Sequence, residues 1–109
     1  MKIELTNNFE TFMRTAFPCL AKAEEAIYEV MGVTLDDMRS ECRFAQYTYA
    51  RAIFFHLCIH DVQRAMYLSS YLNRDHSSGA YYHKYNREHQ YDFCYMTMFE
   101  KVKNAFQNK

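Results

Sequence analysis

The scarcity of residues that interrupt helices is the feature that most constrains this chain. Its 109 residues include only 2 glycines and 1 proline. Because the turns of β-structure draw heavily on glycine and proline, so few of them make a many-stranded fold unfavourable. Hydrophobic residues make up 50% of the chain, enough to bury one core at this length. The sequence therefore predicts a single all-α domain over residues 1–109.

The spacing of hydrophobic residues predicts helices with defined ends. Apolar side chains recur at intervals of three and four residues from Phe9 to Phe17, and this pattern stops before Pro18. A second helix is predicted from Cys19 to Met31, with Gly32 suited to end it. Thr34 is then expected to cap a short helical turn by accepting a hydrogen bond from a backbone N–H near Asp37.

A central helix is predicted from about Phe44 to Cys58, because this segment is apolar around most of its circumference. Arg51 interrupts the apolar run and requires an explanation. Residues 91–106 again carry hydrophobic side chains at helical spacing, and they predict a C-terminal helix.

A short helix, a tight turn and a second helix are predicted within residues 62–88. Asp61 is expected to cap the first of these helices. Asn73 suits the left-handed backbone of a tight turn, and Asp75 is expected to cap the second helix, which begins at His76. This order of elements is typical of helix-turn-helix DNA-binding motifs.

The second of these helices opens with the side chains that DNA recognition requires. Short polar groups in its first turn can reach base edges, while nearby cations hold phosphates. The polar candidates are His76, Ser77 and Ser78, and the cationic candidates are Arg74, Lys84 and Arg87. The alternative is structural, with Arg74 paired to Asp75 across the turn and the serines acting as helix caps.

Charge is distributed unevenly along the chain. Residues 1–42 contain four basic and eight acidic residues, whereas residues 43–87 contain six basic and two acidic ones. A cationic segment beside an acidic one favours a surface that faces a polyanion. An ordinary solvated face is the alternative interpretation.

Two segments resemble a known family. Residues 74–78, Arg-Asp-His-Ser-Ser, resemble the Arg-Asp-His-Thr/Ser-Thr signature of the C-terminal DNA-binding domain, domain IV, of the bacterial replication initiator DnaA. Residues 31–40 resemble that domain's Gly-Val-Ser-x-x-Asp-Leu-x-Ser segment, and residues 49–51 resemble the start of its Ala-Arg-Gln helix. The resemblance covers roughly residues 24–88 and leaves residues 1–23 as an extra N-terminal helical segment.

The resemblance implies a Trp-repressor-like helical domain whose signature helix enters the major groove. Arg43 takes the place of an arginine that reaches the minor groove, and Arg51 that of a phosphate-binding arginine. Arg74 would lie nearest the phosphates. The base-reading positions of the signature fall on Asp75, His76, Ser77 and Ser78.

The chain also departs from the family pattern. The basic loop of the family is thinned, since Glu41 and Cys42 occupy two of its positions, and Gly79 stands where the family has an aliphatic residue. The neighbouring tyrosines, Tyr81 and Tyr82, are either buried in the protein core or stack on the sugar and backbone of DNA. We therefore expect weak to moderate binding.

These patterns predict a non-catalytic, sequence-specific protein that binds double-stranded DNA in the cytoplasm, as a regulator or competitor at initiator-like sites or as a phage or mobile-element factor. No phosphate-binding loop or membrane segment is found, and we expect no nucleotide, cofactor, metal or membrane partner. The four scattered cysteines are expected to be structural free thiols, and Cys19 is expected to lack a cationic helix-terminal setting. The alternative is an interaction module whose aromatic and methionine-rich surface binds a protein partner or a second copy.

Overall fold

The computed structural model describes residues 7–75 and 77–109, and within them the chain forms seven α-helices and no strand. This confirms the predicted all-α class. No helix among these residues is long and apolar enough to cross a membrane. The helices are α1 (Asn7–Ala16), α2 (Cys19–Met31), α3 (Leu35–Arg39), α4 (Ala45–Val62), α5 (Ala65–Tyr71), α6 (Ser78–Glu88) and α7 (Phe93–Gln107).

Local signals define the ends of α2 and the start of α3 as predicted. Gly32 follows α2 with φ of 70°, a left-handed conformation that glycine adopts without steric cost. The Thr34 hydroxyl accepts the backbone N–H of Asp37 at 3.0 Å. In return, the Asp37 carboxylate accepts the backbone N–H of Thr34 at 3.0 Å. The two residues form a reciprocal capping box.

The central helix α4 is longer than predicted and runs on to Val62. Val62 is buried, so the apolar face of the helix continues past Cys58. The chain turns only at Gln63, which has φ of 62°. The prediction that Asp61 caps the next helix is therefore wrong, because Asp61 lies inside α4 and α5 begins without a side-chain cap.

Helix α4 forms the centre of the fold, as its all-round apolar sequence predicted. It packs against α2, α3, α5, α6 and α7. Ile53 and Phe54 on α4 are completely buried, as are Leu20 on α2 and Leu68 on α5. The positions of α3 and α6, which flank the candidate site, are thus both set by contacts with α4.

The connection between α5 and α6 uses two polar residues. Asn73 has φ of 57°, which confirms the predicted left-handed turn. The Asp75 carboxylate accepts the backbone N–H of Ser77 at 3.2 Å, two residues further on. Helix α6 then begins at Ser78, two residues later than predicted, and its N-cap is Ser77, so the prediction that Asp75 caps this helix is wrong. His76 lies outside the described residues.

Gly79 allows α6 to approach α5 closely. A Cβ atom at Gly79 would lie 2.5 Å from the Cβ of Ala65 and 3.3 Å from Cζ of Phe55. The first of these distances is too short for two carbon atoms in contact. The glycine that departs from the family pattern is therefore required by the packing of the two helices.

We expect Gly79→Ala to lower the free energy of unfolding by about 1–3 kcal/mol, because the added methyl group overpacks the contact with Ala65. Helix propensity alone would change it by about 1 kcal/mol in the opposite direction. Urea denaturation followed by circular dichroism measures the difference. The control is Ala80→Gly at the exposed neighbouring position, which reports propensity alone. A Gly79→Ala variant as stable as the wild type would contradict the close approach.

Candidate nucleic-acid interface

A cleft of about 760 Å³ lies between the loop that follows α3, the first turns of α4 and the start of α6. Four predicted site residues, Arg43, Arg51, Arg74 and Ser78, line it together. Its other lining residues are Glu41, Thr48, Tyr81 and Tyr82. Three arginines thus face one carboxylate across a concave surface, an arrangement that favours an anionic ligand.

Arg51 anchors one wall of this cleft. Its side chain is only 4% exposed, although it carries a full charge. Its Nε donates to the Met38 carbonyl at 2.7 Å, and its Nη2 donates to the carbonyls of Ser40 and Cys42, both at 2.8 Å. Carbonyls at the end of a helix lack donors within that helix, and at the end of α3 the Arg51 guanidinium provides the missing donors. This explains why an arginine interrupts the apolar sequence of α4.

The resemblance implies a phosphate contact for Arg51, whereas the hydrogen bonds of its guanidinium go to backbone carbonyls. Its direct effect is therefore on the loop after α3, which it holds against α4. Because Arg43 belongs to that loop, Arg51 also sets the position of the most exposed arginine in the cleft.

Arg74 reaches two of the same carbonyls from the connection between α5 and α6. Its Nη2 donates to Met38 O at 3.3 Å and also to Ser40 O. Burial, and then the nearby charge of Arg74, lower the pKa of Arg51 from its ordinary value. An arginine remains charged at neutral pH even so, because the ordinary pKa of its guanidinium lies far above neutral pH. The two guanidinium groups therefore concentrate positive charge where α6 begins.

Of the remaining predicted residues, Asp75 and Ser77 lie just before the first turn of α6. Ser77 is exposed, and its hydroxyl donates to the Asp75 carboxylate at 3.2 Å. Lys84 is exposed further along α6 and pairs with Glu88 at 3.7 Å. Lys84 does not line the cleft itself, and nothing is described for His76.

An exposed stripe on α6 extends the interface beyond the cleft. Its members, spaced three and four residues apart, are Ala80, His83, Lys84 and Arg87. The sequence analysis singled out Lys84 and Arg87 but missed Ala80 and His83. Helical spacing from Lys84 and Arg87 was the available signal, since Ala80 lies four residues before Lys84 and His83 lies four residues before Arg87.

The sequence left open whether Tyr81 and Tyr82 are buried or stack on DNA, and the structure places the two rings differently. Tyr82 is 5% exposed and its ring lies 5.9 Å from that of Phe55. Burial raises the pKa of Tyr82. Tyr81 is 55% exposed and lines the cleft, so of the two rings it is the one with enough exposed surface to stack on a ligand. Thr48 also lines the cleft and had no recognisable sequence signal.

A second cleft of about 450 Å³ changes the interpretation of one cysteine. Cys19 is the first residue of α2 and lines this cleft together with Lys22 and Lys109. The expectation that Cys19 lacks a cationic helix-terminal setting is therefore wrong. Lys109 reaches the cleft only through the packing of α7 on α2, which local sequence does not reveal. No group of three or more metal-ligating side chains is found in the described part of the chain.

Several large hydrophobic side chains remain exposed. Tyr91 and Phe93, next to the start of α7, are 89% and 84% exposed. The others are Phe12, Tyr28, Phe44, Met66 and Tyr81. Exposed aromatic rings are enriched at protein interfaces, and the interaction-module alternative requires them.

Comparison of the chain with models of known protein families, with curated proteins and with solved structures finds no match. The similarity to the initiator's DNA-binding domain thus rests on residues 31–40, 49–51 and 74–78 and stays a prediction. The candidate interface rests on the geometry of the cleft and of α6.

We expect Arg51→Met to lower the free energy of unfolding by about 2–4 kcal/mol, because it removes the hydrogen bonds that join the Met38, Ser40 and Cys42 carbonyls to α4 and leaves the Cys42 carbonyl without this donor. Arg51→Lys should not restore stability, since one ammonium group cannot reproduce the separated Nε and Nη2 contacts. Urea denaturation measures both variants. Arg87→Met removes an exposed arginine from α6 and serves as the control, with an expected change within about 0.5 kcal/mol. Equal effects at Arg51 and Arg87 would refute the anchoring role.

Proposed function

We propose that this protein binds double-stranded DNA without catalysing a reaction, with α5 and α6 acting as a helix-turn-helix. The observation that carries the proposal is the convergence of Arg43, Arg51 and Arg74 in the cleft at the first turn of α6. Binding of phosphates by such cations supplies most of the sequence-independent affinity of DNA-binding proteins.

In this proposal Arg51 and Arg74 position the site, whereas Arg43 and α6 contact the DNA. Arg51 and Arg74 hold the loop after α3 beside the start of α6 and add positive charge there. Arg43, exposed on that loop, contacts the DNA backbone or the minor groove. Helix α6 lies in the major groove and presents its exposed stripe of Ala80, His83, Lys84 and Arg87 to base edges and phosphates.

The charge balance sets the expected strength of binding. Thirteen basic and thirteen acidic residues leave a formal net charge of zero, so attraction to DNA comes from the local cationic surface alone. If about four phosphates are neutralised, the affinity should fall roughly 10²-fold between 50 and 200 mM salt. Binding of this kind suits a factor that occupies initiator-like sites as a regulator or competitor, or a phage or mobile-element factor.

Arg43→Glu should weaken binding to all duplexes by about tenfold or more at low salt and reduce the salt slope by about one unit, because it removes a phosphate contact. The measurement is fluorescence anisotropy with a random-duplex pool and an initiator-box duplex at 50 and 200 mM salt. Lys22→Glu is the matched control, since it makes the same change of charge at an exposed residue of the other cleft.

Three results would count against the proposal: no binding of the wild type at 50 mM salt, binding that does not respond to salt, and equal losses in the Arg43 and Lys22 variants. Enrichment of one sequence from the random pool would support specific recognition. Equal binding of all sequences in the pool would limit the function to sequence-independent DNA binding.

A second candidate function is a protein interaction module, favoured by the exposure of Tyr91 and Phe93. These rings flank Asp92, whose carboxylate accepts the Tyr95 N–H at 3.1 Å and caps α7. The cap fixes the backbone at this helix end, from which both side chains extend at the surface. An exposed aromatic pair on a rigid element is a suitable anchor for a protein partner or a second copy.

If this pair mediates self-association, the double variant Tyr91→Ser/Phe93→Ser should sediment as a monomer at protein concentrations where the wild type is a dimer. Tyr28→Ser, at an exposed position on α2, is the control and should leave the wild-type behaviour unchanged. Sedimentation equilibrium makes the comparison, and DNA affinity is measured on the same samples. A monomeric wild type at all accessible concentrations would rule out self-association through these rings.

A further inference from the structure

Two of the cysteines lie together where α2 packs on α4. Cys19 lines the second cleft and is 7% exposed, whereas Cys58 lies behind it and is completely buried. The Cys58 thiol donates a hydrogen bond to the Cys19 carbonyl, with the sulfur 3.8 Å from the oxygen. Both thiols are free. Cys19 therefore borders the cleft, and Cys58 lies next to Cys19 on the interior side.

The surroundings of Cys19 favour its ionised form. It is the first residue of the 13-residue α2, whose first turn contains no acidic residue and whose N-cap, Pro18, makes no side-chain hydrogen bond. Thiolates are stabilised at such helix N-termini. Lys22, one turn further along α2, adds positive charge in the cleft, which Asp61 opposes. Lys109 also lines the cleft, but its ammonium group is paired with Glu29 at 3.1 Å and Glu25 at 3.9 Å.

The two thiols differ in acidity. The adjacent Cys58 side chain lowers the pKa of Cys19, and this effect outweighs burial and the Asp61 carboxylate, which raise it. The Cys19 side chain, followed by burial, raises the pKa of the Cys58 thiol far above its ordinary value. Cys19 is thus the thiol that ionises, and Cys58 keeps its proton.

We propose that Cys19 and Cys58 form a dithiol that a hydroperoxide oxidises, with Cys19 reacting first through the second cleft and Cys58 closing a disulfide with it. This modification site is separate from the proposed DNA interface, because the residues of the two clefts do not overlap. It therefore does not depend on the DNA-binding proposal.

The chemistry is balanced by one molecule of hydrogen peroxide. The Cys19 thiolate attacks one peroxide oxygen, the O–O bond breaks, and the departing oxygen takes up a proton to leave as water. Cys19 is then a sulfenic acid. The Cys58 thiol loses its proton, its sulfur attacks the Cys19 sulfur, and the S–O bond breaks with release of a second water. Two thiols are oxidised by two electrons, and the peroxide is reduced.

The disulfide would connect the start of α2 to the central helix across 39 residues of sequence. A cross-link over a loop of this size restricts the unfolded chain and stabilises the folded one. We expect the oxidised protein to unfold at a temperature higher by roughly 10 °C. Reduction with dithiothreitol should reverse the change.

The test uses the full chain carrying Cys42→Ser and Cys94→Ser, which removes the two more exposed thiols. The reduced protein is treated with hydrogen peroxide, the remaining thiols are alkylated, and the products are digested with trypsin for mass spectrometry. The expected product is a disulfide between peptides 15–22 and 52–64, which contain Cys19 and Cys58. In the folded protein it should form at least about tenfold faster than in concentrated urea, because folding holds the sulfurs together.

Two further variants identify the order of the steps. With Cys58→Ser, oxidation should stop at a Cys19 sulfenic acid, which a dione reagent specific for sulfenic acids labels. With Cys19→Ser, Cys58 should remain reduced, because it is buried and protonated. The absence of the linked peptide in the folded protein, or its formation at the same rate in urea, would overturn the proposal even if a variant misfolds.

Discussion

The buried guanidinium of Arg51 is the interaction on which the candidate site depends. A charge removed from water destabilises a fold unless hydrogen bonds compensate it. Here the carbonyls at the end of α3 and in the following loop provide that compensation at 2.7 to 2.8 Å. The same bonds attach α3 and its loop to the central helix. A side chain that interrupts an apolar helix thereby determines where an exposed loop lies.

Arg74 extends this arrangement to the second half of the site. It donates to the same carbonyl of Ser40 as Arg51 does, although it comes from the connection between α5 and α6. Three segments distant in sequence therefore meet at one group of backbone oxygens. The positive charge that remains is concentrated beside the first turn of α6, where a phosphate contact would position that helix on a duplex.

Much of the fold could be predicted because its signals are local. Gly32 and Thr34 act through their own backbone or through a hydrogen bond within three residues, so their effects can be read along the chain. Asp61 shows where this reasoning fails. Its residue type suits a helix cap, but the burial of Val62 extends α4 past it, and burial depends on elements that the local sequence does not contain. The anchoring role of Arg51 was missed for the same reason.

The sequence by itself determined the all-α class, most helix ends, the left-handed turn at Asn73 and the concentration of cations after residue 42. Each follows from residue types or from spacing along one helix. Only the tertiary structure decided that Arg43, Arg51 and Arg74 share a cleft, that Gly79 is needed where α6 meets Ala65, and that Cys19 and Cys58 lie together. These are contacts between distant segments, and packing around α4 sets the distances between them.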